Sequence, residues 1–199
     1  MSTQESHLRR RGMMLEWITL AWNVVGVVVL AITAYLAASV ALVGFGLDSL
    51  IEIGASTVVL WELSGTGQAR QRIALRLIGG AFMALAVYLL IQSGLALIFH
   101  HHATASPGGA IWTAVTAGAM FILAAAKTRT GRALGNPVLE TEGHVTFIDG
   151  LLATAVLLGL SLNGLLGWWW ADPVAGLVIV YYAIREAHAI FTEPKPAAD

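Results

Sequence analysis

The sequence predicts an all-α, polytopic bundle of six membrane-spanning helices, and three observations lead there. Hydrophobic types make up 57% of the 199 residues and charged types only 12%, whereas soluble domains carry about 25% charged residues. The apolar residues are gathered into long runs, and one pass through a bilayer needs roughly 20 of them. Most of the eleven Lys and Arg residues lie in short segments between those runs.

Each span follows from where the apolar runs stop. No charged residue occurs from Trp17 to Leu47, and beyond Asp48 and Glu52 apolarity continues to Trp61. This region fits two passes joined by a tight turn near Ala38 and Ser39, giving span 1 at 17–37 and span 2 at 41–62. The polar stretch SGTGQARQR at 64–72 precedes span 3 at 73–99, and HHATASPGG at 101–109 precedes span 4 at 110–126. Span 4 ends at Lys127, whose apolar stem is expected to reach the interface by snorkelling. Asn136 and Pro137 form an N-cap and first-turn pair that opens span 5, running to Leu166. Trp168, Trp169 and Trp170 suit an interfacial belt, and Asp172 with Pro173 repeats the cap-and-proline start for span 6 at 173–191. The domain organisation is then a segment 1–14, a six-span transport domain 15–191 and a tail 192–199. The first apolar stretch is too long for the core of a secretory signal and is read as a retained span.

In a six-span arrangement Arg9, Arg10 and Arg11, then Arg70, Arg72 and Arg76, then Lys127, Arg129 and Arg132, and finally Arg185 and Lys195 all fall on one side. By the positive-inside rule that side, with both termini, is expected to be cytoplasmic, in a cell (inner) membrane. No long basic surface remains for nucleic acid. The chain has no cysteine, so metal chemistry must use carboxylate, imidazole, amide or carbonyl groups. HExxH, P-loop and GxGxxG patterns are absent and no Ser, His and acid constellation can be argued, so no enzyme and no resident cofactor are expected.

The informative residues are the acids inside apolar runs. Asp48 and Glu52, halfway through span 2, share a helix face at i,i+4 and would repel each other there when ionised. A central Asp costs about 2.5–3.5 kcal/mol on insertion scales. A bound divalent cation, or a proton on one of them, relieves both penalties. Alternatively the pair bonds to Ser49, Asn23 or other spans and holds the bundle together. Asp149 is the buried acid of span 5. Glu142, seven residues earlier, lies on nearly the same face, whereas His144 is about 140° round the helix. Either may complete a metal site with Asp48, Glu52 and Asp149, although Glu142 also reads as a solvated acid complementing the helix dipole. Asn23, Asn163 and Gln92 offer carbonyl oxygens but are as readily interhelical glue. His100, His101 and His102 form a polar loop without fixed coordination geometry.

The segment SVALVGFGLDSLIEIGAS at 39–56 is similar to the second span of the cation diffusion facilitator family, and HVTFIDGLLATAVLLGLSLNGLLGWWWADPVAGLVIV at 144–180 to its spans 5 and 6. The chain resembles the transmembrane part of that family over about 15–190, closest to short bacterial members without the cytoplasmic metal-binding domain. The resemblance implies a homodimer that exports a divalent cation such as Zn²⁺, Fe²⁺, Mn²⁺ or Co²⁺ in exchange for protons. By the same resemblance Asp48, Glu52 and Asp149 are site residues. Many members place a histidine or aspartate four residues before the fifth-span aspartate, where this chain has Val145. The competing expectation is a membrane scaffold or accessory subunit whose acids serve helix association.

Overall fold

In the computed structural model, which describes residues 3–64 and 68–192, the chain forms six helices. They are α1 (Thr3–Ala37), α2 (Val40–Ser64), α3 (Gln68–Ile98), α4 (Pro107–Leu134), α5 (Pro137–Leu166) and α6 (Ala171–Thr192). Residues 65–67 of the expected second connection, and the tail 193–199 with Lys195, lie outside the described residues. Among the described residues, five helices are long and apolar enough to cross a bilayer, and α3 carries a further apolar stretch, Phe82–Ile98. Several helices outrun the hydrocarbon layer: α3, at 31 residues, is about 46 Å long. The added turns of α1, α3 and α4 carry the arginines, which belong in the interfacial and aqueous zones.

The expected caps are built as the sequence suggests, with one exception, but α4 runs on to Leu134, past the end expected at 126. Asn136 caps α5 by accepting from the Leu139 amide at 2.9 Å, and Pro137 fills the first turn where an amide hydrogen has no partner to lose. Ser106 and Pro107 do the same for α4. Gly135 and Gly167 end α4 and α5 at φ 62° and 69°, the left-handed conformation that costs glycine nothing. The exception is Asp172. It does not precede α6 as a cap but is its second residue, buried, and its carboxylate reaches across to α2. Oδ1 accepts from the Ser39 hydroxyl at 2.5 Å, and Oδ2 from the Val40 amide at 2.9 Å. Ser39 Oγ in turn accepts from the Leu42 amide at 3.1 Å. The unsatisfied amides that open α2 are thus met by an anion from another helix, which also complements the α2 dipole. Their reach depends on the tight turn at Ala38, held at φ 49°, an unfavourable conformation for an alanine.

Consecutive helices run antiparallel. Arg9 near the start of α1 donates to the Leu63 carbonyl near the end of α2, from Nε at 2.7 Å, Gly79 of α3 sits beside Ile190 and Phe191 of α6, and Gly131 of α4 beside Glu140 of α5. The opposite end gathers Ala37 and Thr104 with Gly159 against Ala171 and Ala175. Helix α2 is central, packing on α1, α3, α5 and α6. Its Leu42 and Phe45 are fully buried with Leu89, Val156 and Ile179. The periphery is apolar instead of polar: Val24, Val28, Ile32, Ile91, Ile122 and Leu165 point outward, while Glu16, Thr19, Asn23, Ser56, Thr113 and Lys127 are buried. That inversion suits lipid as solvent, where an apolar exterior costs nothing and polar groups must find partners inside.

Helices α4 and α5 approach most closely. A Cβ on Gly131 would stand 2.6 Å from the Glu140 amide nitrogen, and one on Gly143 2.7 Å from the Thr128 amide nitrogen. Backbone cannot yield as a side-chain tip can. Gly131→Ala and Gly143→Ala are each expected to destabilise the bundle by about 1–3 kcal/mol, read as a lowered midpoint in detergent thermal unfolding. Gly118→Ala on the same helix meets nothing within 4 Å and should leave the midpoint unchanged or raise it. Asp172→Ala, which strands the α2 amides, should cost about 1–2 kcal/mol in the same measurement.

Candidate functional site

Halfway along α2 the one-turn spacing places Asp48 and Glu52 on the face turned inward, both almost wholly buried. On α5, Glu142, Thr146 and Asp149 follow one another at intervals of four and three and are buried too. Asp48, Glu52 and Asp149 border one narrow, partly enclosed cavity of about 10 Å³ together with Val145, Tyr182 and Glu186, a space the size of a single water molecule. Asp149 stands against both α2 acids. Both of its carboxylate oxygens, and Oε2 of Glu52, are buried without a hydrogen-bond donor. Acids facing one another accept but cannot donate unless protonated, so this cluster calls for a cation or a proton to hold it. Among the described residues, no three His, Asp or Glu side chains form a ready ligand set for a metal ion. The acids border one space without having closed on a common point.

The other oxygen of Glu52 has a partner. Glu52 Oε1 accepts from the Thr146 hydroxyl at 3.1 Å. Thr146 also accepts from Lys127 Nζ at 3.1 Å, and Lys127 pairs with Glu16 Oε2 at 3.1 Å and with Glu142 Oε1 at 3.4 Å. Lys127 does not snorkel to the interface as expected from its position after span 4. Its side chain is 0% exposed, because the glycine-lined contact of α4 with α5 brings its backbone close and two acids supply the counter-charge. Removing one partner of such a buried pair costs several kcal/mol, since the other charge is left uncompensated.

The structure therefore separates the sequence candidates. Asp48, Glu52 and Asp149 share one cavity. Glu142 is buried on the same face of α5 but is engaged by Lys127, two turns from Asp149 toward the basic end. His144 is exposed and lines a different cleft, with Phe121, Arg129, Arg132 and Phe147 between α4 and α5. Asn23 donates to the Thr19 carbonyl of its own helix, and Asn163 to the Ala103 carbonyl, tying α5 to the connection before α4. Gln92 lines a groove near His101 at the far end, away from the acids. His100 and His102 rest on the Trp169 ring at 5.1 and 5.3 Å between centroids, and His101 Nε2 lies 3.2 Å from the Ala38 carbonyl.

Four residues of this interior escaped sequence reasoning. Glu16 sits at the edge of the first run, close to the arginines, and reads as part of the polar flank. Lys127 reads as a terminus. Thr146 carries no charge, yet its place between Glu142 and Asp149 on one face was available to a spacing argument. Glu186, half-buried, follows Tyr182 by one turn and was equally open to such an argument.

Residues 17–193 match the Cation efflux transmembrane domain. The chain is also 21% identical over 194 residues to Transmembrane protein 163 of Xenopus laevis, an alignment covering 92% of this chain and 68% of that one. With the match extending across all six helices, the chain belongs to the cation efflux family, and it is a multi-pass membrane transporter of cations, not an enzyme.

Proposed function

We propose that the chain exports a divalent metal cation from the cytoplasm in exchange for protons, and that Asp48, Glu52 and Asp149 carry the cation, with Glu186 beside them. The observation that supports this reading is the pair of unpartnered Asp149 oxygens facing two further acids around one narrow cavity. Glu142, by contrast, has the Lys127 ammonium on its Oε1. A cation entering the cavity would draw the three carboxylates onto a common point, and protons arriving from the other face would release it. The two loads thus compete for the same oxygens, which is exchange once the site opens alternately to either side.

The acids and the Tyr182 hydroxyl offer oxygen donors, with Val145 where many relatives have a histidine or aspartate and His144 on another cleft. An oxygen donor set favours harder ions, Mn²⁺ ahead of Zn²⁺, with Fe²⁺ and Co²⁺ between. The scaffold reading draws support from the Glu16–Lys127–Glu142 pairs, which do join α1, α4 and α5, but it gives no reason for the bare acids of α2 and α5. The basic end is assigned to the cytoplasm with both termini, and the working unit to a homodimer in the cell (inner) membrane.

In proteoliposomes with an imposed proton gradient, wild type should move Mn²⁺ or one of the other three metals. Asp48→Asn and Asp149→Asn should each lower that flux by about tenfold or more with folding intact; normal flux in both would remove these acids from the mechanism. For orientation, single cysteines in this cysteine-free chain should label from outside at Ser106 and not at Arg129, and the reverse pattern would invert the topology. Mass measurement in lipid should give two copies, and a monomer would remove the dimer.

A further inference from the structure

The buried ammonium of Lys127 has three protons and no lone pair, and it meets three acceptors: Glu16 Oε2, Glu142 Oε1 and Thr146 Oγ1. This has a consequence for Thr146. Its hydroxyl can only accept from Lys127, so its single proton is directed to Glu52 Oε1, 3.1 Å away. The polarity of the chain Lys127–Thr146–Glu52 is set by the cation at its head, and a hydroxyl that accepts from a cation is a stronger donor. One oxygen of Glu52 is thereby engaged by a donor, while Oε2 is buried and bare.

We propose that Lys127 is a positioning residue for the transport site: acting through Thr146, it holds Glu52 as a one-oxygen ligand for the divalent cation and so sets the site's affinity. Glu142, in the same arrangement, serves as counter-ion to Lys127 and not as a ligand. Lys127 touches no cation itself. The proposal rests on the transport reading above for the identity of the ligand, though not for the hydrogen-bond chain.

A purely structural Lys127 would tie α1 to α4 and α5 and have no effect passed on by Thr146. The test therefore interrupts the relay at Thr146 and leaves the ion pairs in place. In the full chain in lipid nanodiscs, Mn²⁺ binding is measured by the loss of the free-ion electron paramagnetic resonance signal. The Glu52 carboxylate stretch is read without metal from infrared spectra, assigned by its disappearance in Glu52→Gln. Thr146→Val should weaken Mn²⁺ binding by about tenfold and shift the Glu52 band, and Thr146→Ser should restore both. The charge-balanced variant Lys127→Met with Glu142→Gln should weaken binding similarly, and adding Thr146→Val to it should produce little further loss. That variant also serves if Thr146→Val fails to fold. Wild-type affinity together with an unshifted band in the folded interrupted variants would overturn the proposal. If wild type binds neither Mn²⁺ nor Co²⁺, it is the transport reading that fails, and the infrared band alone then decides the relay: a shift supports it and an unmoved band rejects it.

Discussion

The interior of this bundle is organised around one buried ammonium group. Lys127 leaves α4 and is met by a carboxylate of α1, a carboxylate of α5 and a hydroxyl of α5. In a bilayer the charge has no water to fall back on, so its partners must come from other helices and must stay. Three helices are fastened by this contact, and a fourth, α2, is joined to them where Thr146 donates to Glu52. The close glycine contacts of α4 with α5 follow from the same demand, because a lysine that must reach α5 while fully buried needs the two backbones near each other.

Helix α2 carries two of the three acids, and other helices hold it along its whole length. At its first turn the Asp172 carboxylate of α6 satisfies amides that would otherwise be bare. In its middle Thr146 holds one oxygen of Glu52. At its last turn the Arg9 guanidinium of α1 takes the Leu63 carbonyl, where a cation is favoured by the helix dipole.

Much of the fold was legible from charge and apolarity alone. The turn at Ala38 and Ser39, the Asn136 and Pro137 start and the six apolar runs are local features, each governed by the chain's own neighbours. The acids of α2 stood out because two carboxylates in an apolar run have an energetic cost that demands a reason, and Asp149 stood out likewise. Lys127 and Asp172 were legible as residues but not in their roles. Each sits where an apolar run stops or starts, where the local reading is a snorkelling stem or a cap, although Lys127 lies inside α4, and each is turned inward by a partner far off in sequence: Glu16 lies 111 positions from Lys127 and Ser39 133 from Asp172.

Periodicity also placed Glu142 on the face of Asp149, but spacing along one helix gives direction and not company. By itself the sequence determined that the chain crosses a bilayer in six apolar runs, with breaks near Ala38 and Asn136, and which buried acids need a counter-charge, since desolvation cost and hydrogen-bond demand are properties of single segments. Only the tertiary structure decided that Glu142 goes to Lys127 while Asp48, Glu52 and Asp149 share a cavity and His144 faces another cleft. Those outcomes depend on which helix stands beside which, and several buried charges compete for partners that only packing brings within 3 to 4 Å.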